Sequence, residues 1–184
     1  MRNLVLITSV VNTPNKPLSY SNVRSVFSRE ERFEQTKKTI QSVKEKIPNH
    51  KIIIVECTDF TEEELNYFKK ECDYVLNLWD RKELHDKIFG TSKALGEGTM
   101  TIQALQYMIK NKFEYKNLFK ICGRYWLNND FNYEIFDNSN IMFKKIRGNI
   151  NNIFTSFYKI PNNNINILLD FLIKTEIHMK NKIG

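Results

Sequence analysis

The chain opens on a continuous apolar run, Leu4–Val11, rich in β-branched residues and interrupted only by Thr8 and Ser9 near its end. Such a run predicts a strand covered on both faces, with small hydroxyls placed to face a ligand. Lys51–Cys57 predicts a second buried strand, terminating in Glu56, and Asp73–Leu78 a third. Asn117–Cys122 predicts a fourth, which runs into Gly123-Arg124. Between these strands the apolar period changes. Phe33, Thr36, Ile40, Val43 and Ile47 form one helical stripe, with Ser28 as N-cap, Glu31 completing a capping box and Pro48-Asn49 as the stop. A second helix, capped by Thr58 or Thr61, turns Leu65 and Phe68 inward. A third is capped by Ser92 and runs to about Lys110, with Leu95, Met100, Ile102, Leu105, Met108 and Ile109 on its apolar face. Beyond the fourth strand, Ile141–Ile146 and Ile153–Tyr158 read as short strands, the latter carrying Thr155-Ser156, and Asn162–Lys174 as a helix.

Strands alternating with helices predict one α/β domain over residues 1–184, a three-layer, Rossmann-like, mostly parallel sheet with helices on both faces. In such folds the carboxyl ends of the strands and the amino ends of the following helices share one rim, where ligands bind.

Several local conflicts fall on that rim. Residues 12–28 form a long polar loop with two prolines, and loops of that length are usually functional or mobile. Arg29 and Arg32 occupy the first turn of a helix, where the dipole prefers acids. They are either site cations or partners of Glu30, Glu31 and Glu34. Gly96 and Gly98 bracket Glu97 inside the third helix, which predicts close approach of backbone to a ligand or a neighbouring strand. Lys93 is placed to meet an anion at that helix's amino end. Gly123-Arg124 puts a fixed cation at a strand end. Tyr125 and Trp126, directly after it, read as core residues or as a platform for a sugar ring. Asp80 and Asp86 read as surface residues.

Composition narrows the picture modestly. The net charge is +7, but the lysines are spread along the chain and fit a solvated basic surface rather than a nucleic-acid stripe. Three cysteines without a CxxC pair read as buried apolar residues in a reducing compartment, and three scattered histidines give no zinc spacing. No apolar stretch approaches the ~20 residues that span a bilayer, and the reading is a soluble cytoplasmic protein. The absence of GxxxxGK[ST] and GxGxxG disfavours P-loop and dinucleotide-binding proteins. One carboxylate, Glu56, placed for a ribose, and several cations, Arg32, Lys93 and Arg124, placed for phosphates, fit a nucleoside diphosphate, with Thr8, Ser9 and Gly123 beside them.

Arg32–Cys57, then KALGEG at residues 93–98, then FKICGRYWL at 119–127 together resemble small glycosyltransferases of the GT-A fold, over about Leu4–Tyr158. The resemblance implies a nucleoside-diphosphate-sugar donor, a glycan or other hydroxyl acceptor and a glycosyl-transfer (hexosyl or related) activity. It adds Lys120, from the K-x-x-G-R-Y string, to a binding set of Thr8, Ser9, Arg32, Glu56, Lys93, Gly96, Glu97 and Gly123. One departure is chemical. Many such enzymes hold Mn²⁺ or Mg²⁺ on an Asp-x-Asp motif at the end of this strand, whereas this chain reads Cys122-Gly123-Arg124 and contains no Asp-x-Asp. Arg124 is therefore expected to carry the charge of the leaving diphosphate, assisted by Lys93 or Arg32, and a divalent metal is left open. Asp130 is the expected acceptor base, with Glu134 second and a turn residue as the plainer reading of Asp130. The other departure is a short segment after the last strand, so a partner or second copy is a candidate to complete the acceptor side. The alternatives are a nucleotidyltransferase and a non-catalytic nucleotide- or glycan-binding module.

Overall fold

The computed structural model describes residues 1–145 and 153–181. Strand β1 (Asn3–Ser9) lies at the centre of a six-stranded sheet. Helix α1 (Arg29–Lys46) starts at Ser28 with both halves of the capping box formed, and the chain reverses at Asn49, in the left-handed region at φ 48°. Strand β2 (His50–Glu56), helix α2 (Glu62–Glu71) and strand β3 (Tyr74–Asn77) follow. Thr61, not Thr58, caps α2, with Glu64 closing a second capping box. The connector predicted as charged surface contains a 3-10 turn and a one-turn helix, α3 (His85–Ile88), over an aromatic trio of Trp79, His85 and Phe89. Helix α4 (Lys93–Lys110) is capped by Ser92, and β4 (Asn117–Cys122) completes the parallel set.

The order is β3-β2-β1-β4-β6-β5, with β1 to β4 mutually parallel. After the one-turn α5 (Tyr133–Phe136), β5 (Met142–Lys145) and β6 (Ile153–Pro161) join antiparallel. Among the described residues the path from β4 to β6 contains no helix long enough for a crossover, and β6 returns alongside β4 in the opposite sense. Ile146, the end of one expected strand, and residues 182–184 of the basic tail lie outside the described residues. Helix α6 (Ile165–Asn181) closes the chain.

The strands' alternation fills two cores. Leu4, Leu6, Ile53 and Val55 face Met100, Ala104 and Leu105 of α4 and Ile165 of α6. Val5, Ile7, Ile52 and Ile54 face Phe33, Ile40 and Val43 of α1 and Phe68 of α2. Helices therefore cover both faces, which is the expected three-layer arrangement. Among the described residues, no helix is long and apolar enough to cross a membrane.

Candidate functional site

The carboxyl ends of β1 and β4, the amino end of α4 and the loop after β1 enclose a cavity of about 550 Å³. Thr8, Ser9, Arg32, Lys93, Gly96, Glu97, Gly123 and Arg124 all line it. Residues more than a hundred positions apart in sequence thus meet on one rim, because parallel register sets Ser9 beside Glu56 and Thr8 beside Cys122.

Gly123 is required by that packing. A Cβ at this position would lie 2.7 Å from Ser9 Cβ, so only glycine lets the end of β4 close on the end of β1. Helix α1 holds the following segment through three hydroxyls on one face. Thr36 Oγ1 lies 3.0 Å from Gly123 O, Thr39 Oγ1 donates to Tyr125 O at 2.7 Å, and Ser42 Oγ accepts from Leu127 N at 3.0 Å. Two of the three strings singled out in the sequence, the helix within Arg32–Cys57 and the turn within 119–127, are therefore one physical unit, a helix face and the turn it clamps.

The cavity is cationic. Arg32 is 8% exposed, its Nε donating to Val10 O at 2.6 Å and Nη1 to Ser25 Oγ at 3.3 Å. Burial and then the neighbouring Arg124 push its pKa down to about 10. Lys93 is also lowered, by burial and by Arg124, Arg32 and Arg24. Arg24 is the fourth cation. It reaches back from the polar loop to donate Nη2 to Gly90 O, while its Nε is buried without a partner and burial lowers its pKa. Among the described residues none of these four, Arg24, Arg32, Lys93 and Arg124, is salt-bridged to a carboxylate. Arg29, one turn from Arg32, differs. It grips Glu64 through Nε and Nη2, both at 2.7 Å, and adds Asp59 at 3.6 Å. Of the two first-turn arginines, one is structural, with partners on α2 and its approach rather than in its own turn, and one faces the cavity.

Other expected residues are placed differently. Glu56 is fully buried and does not line the cavity. The chain after β1 folds over it, Val11 N donating to Oε2 at 3.3 Å and Thr58 Oγ1 at 2.7 Å, while Oε1 has no partner. Burial raises its pKa against Thr58, Ser9, Val11 and Arg32, so it is not an open ribose acceptor here. Lys120 also lies beneath the cavity rather than on it. It is fully buried and ion-paired with Glu97, with further contacts to Cys122 Sγ at 3.0 Å and Thr155 O at 3.2 Å. Asp130 is exposed outside the cavity in an Asx turn, its backbone N bonded to Asn128 Oδ1 at 3.2 Å. Glu134 sits in α5, away from the rim. Tyr125 and Trp126 are not core residues. They are 44% and 54% exposed, and Leu127 takes the buried position. Gly96 and Gly98 do allow close approach, but of helices rather than a strand, since added Cβ atoms would strike Ile88 O at 2.6 Å and Met179 Sδ at 2.5 Å. Gly96 borders the cavity as well.

Sequence reasoning missed Arg24, Tyr20 and Thr13 as lining residues, although the length of residues 12–28 marked their loop. It also left Thr155 and Ser156 without a role, and both line the cavity.

Among the described residues no three of His, Cys, Asp and Glu gather, and Glu97 is the one carboxylate on the lining.

No family model matches the chain, and no curated protein matches it. Among solved structures it is similar to 4-diphosphocytidyl-2C-methyl-D-erythritol synthase, with 11% identity and a TM-score of 0.51, over 100% of this chain and 84% of that one. At this identity the likeness is one of fold. The chain is a mixed α/β protein with a Rossmann-like, mostly parallel sheet.

Proposed function

We propose that the cavity binds the phosphates of a nucleotide-activated substrate and that the chain is a transferase. The observation that carries this reading is the set of four cations that lack carboxylate partners among the described residues, two of them, Arg24 and Arg32, only 8% exposed. Burying like charges together is costly, and a polyanionic ligand supplies the missing counter-charge. In the glycosyl-transfer reading, a hydroxyl acceptor attacks the sugar carbon, the bond to the diphosphate oxygen breaks, and the hydroxyl's proton passes to water or to the departing diphosphate. Charge then grows on the leaving β-phosphate, where the Arg124 guanidinium, with Arg32, Lys93 and Arg24, stabilises it. The motif resemblance and the cation-rich lining favour this chemistry.

The fold comparison favours a second reading, nucleotidyl transfer, because the similar structure is by name a synthase of a diphosphocytidyl compound. The two chemistries release different products. Incubation with nucleoside-diphosphate hexoses, and separately with nucleoside triphosphates plus sugar phosphates, distinguishes them. Release of nucleoside diphosphate is expected for glycosyl transfer and pyrophosphate for nucleotidyl transfer. Turnover is expected to survive EDTA in the first case, and loss on chelation overturns neutralisation by cations alone. If no nucleotide raises the melting temperature, the phosphate-binding reading itself fails.

A further inference from the structure

Helix α6 packs against the α4 layer through Ile165, Leu168, Leu169 and Leu172. Its carboxyl end is tied down by Ser92 Oγ, which donates to Met179 O at 2.6 Å, and by the Lys87–Glu176 ion pair. Its other side is not that of an ordinary solvent-facing helix. Ile167, Phe171, Ile173 and Ile177 lie there, between 46% and 66% exposed. Large apolar side chains gathered on one exposed face mark a contact surface. The charges among them are one acid and one base, Asp170 and Lys174, joined at 2.7 Å across a single turn.

These side chains are arranged symmetrically about the level of Leu172. Phe171 and Ile173 stand one residue to either side of it, Asp170 and Lys174 two, and Ile167 and Ile177 five. Each pair matches in kind, apolar with apolar and acid with base. Leu172 itself faces the core beside α4. At about 100° per residue, Asp170 and Lys174 therefore straddle the line directly opposite, Ile167 and Ile177 flank them, and Phe171 and Ile173 lie at the edges. A two-fold axis through that line lays a second, antiparallel α6 on the first and brings every residue onto the other member of its pair. An isologous interface has this property, since a residue i that meets j requires that j meet i. Asp170 of each copy then meets Lys174 of the other, inside a border of apolar side chains.

We propose that the outer face of α6 is a self-association surface, on which a second copy of this chain docks antiparallel about a two-fold axis. A lipid surface fits this face less well. Helices that lie on anionic membranes carry a cationic polar border, whereas the described side chains here carry one acid and one base. A strip of this length falls at the small end of specific interfaces, which bury about 1,200–2,000 Å² in total, so the dimer exchanges, with a dissociation constant of about 1–100 μM. None of the paired residues lines the cavity, so the pairing is independent of what the cavity binds.

Sedimentation velocity of the full chain over about 1–500 μM tests it. The wild type is expected to pass from monomer to dimer within that range. Asp170→Lys sets lysine against lysine across the axis, and Lys174→Asp sets aspartate against aspartate. Each variant alone is expected to associate about tenfold or more weakly than the wild type. Mixed in equal amounts, the two place opposite charges at both contacts of a heterodimer and should recover the wild-type affinity. The double exchange, Asp170→Lys with Lys174→Asp, carries the same expectation within one chain. Recovery excludes misfolding as the cause of the loss and requires the register centred on Leu172. A wild type monomeric at the highest concentration, single variants that dimerise like the wild type, or exchanges that recover nothing each overturn the proposal. A monomeric wild type that instead co-sediments with vesicles of anionic lipid overturns it in favour of a membrane.

Discussion

At the residue scale, identical side chains do different work according to what lies within reach. Arg29 and Arg124 are both guanidiniums near the rim, but Arg29 is bidentate to Glu64, whose side chain is 5% exposed, and Arg124 has no carboxylate partner among the described residues. Arg29→Ala strands a buried carboxylate and should cost about 1–3 kcal/mol in urea unfolding, with nucleotide binding unchanged. Arg124→Ala removes no side-chain hydrogen bond or ion pair among the described residues and should leave the melting temperature within a degree or so of wild type. Turnover, however, should fall about 100-fold, the loss seen when a donor aimed at developing charge is deleted. Normal turnover in this variant returns Gly123-Arg124 to the status of a turn. Sequence position could not separate the two arginines, since both partners of Arg29 arrive from other elements. Arg24 was hidden for the same reason, its place being fixed by Gly90 O, 66 residues away.

At the scale of elements, the caps and stripes were legible. Ser28 with Glu31 and the Ser92 cap are local, so their geometry follows from a few adjacent residues. What was not legible is why Thr36, Thr39 and Ser42 occupy one side of α1. They read as ordinary helix positions until the Gly123–Leu127 segment is seen beneath them. Gly123 belongs to that clamp. Gly123→Ala would place a methyl against Ser9 and should destabilise by about 1–3 kcal/mol. Because the displaced turn carries Arg124, nucleotide affinity should fall with it, in contrast to the pure stability loss of Arg29→Ala. A Gly123→Ala protein with wild-type denaturation and binding would mean that β1 and β4 do not close as described.

For the whole molecule, two glutamates, Glu97 on the cavity wall and the buried Glu56, oppose each other in pH dependence. Glu97 has a lowered pKa, so the stability it contributes is present above the ordinary glutamate value of about 4.3 and is lost as pH falls through its lower folded value. Glu56 has a raised pKa, so its contribution is present below about 4.3 and is lost as pH rises through its higher folded value. Glu56→Gln should therefore gain melting temperature on the wild type as pH rises from about 4 to 8. A constant difference across that range would show that Glu56 is not held in the raised state its burial dictates.

The sequence alone determined the four strands up to Cys122, the three helices between them and the Ser28 and Ser92 caps, because these depend on periodicity and on neighbours a few residues apart. It also indicated which strand and helix ends would share a rim, because parallel strands in α/β proteins place them there. The tertiary structure decided which groups on that rim are open. Glu56 is covered by the chain after β1, Lys120 is sealed under Glu97, and Asp130 is carried away on an exposed turn. Those outcomes depend on distant backbone closing over a side chain. Composition and spacing record a residue's charge, and only the packed fold records whether that charge meets a partner or a ligand.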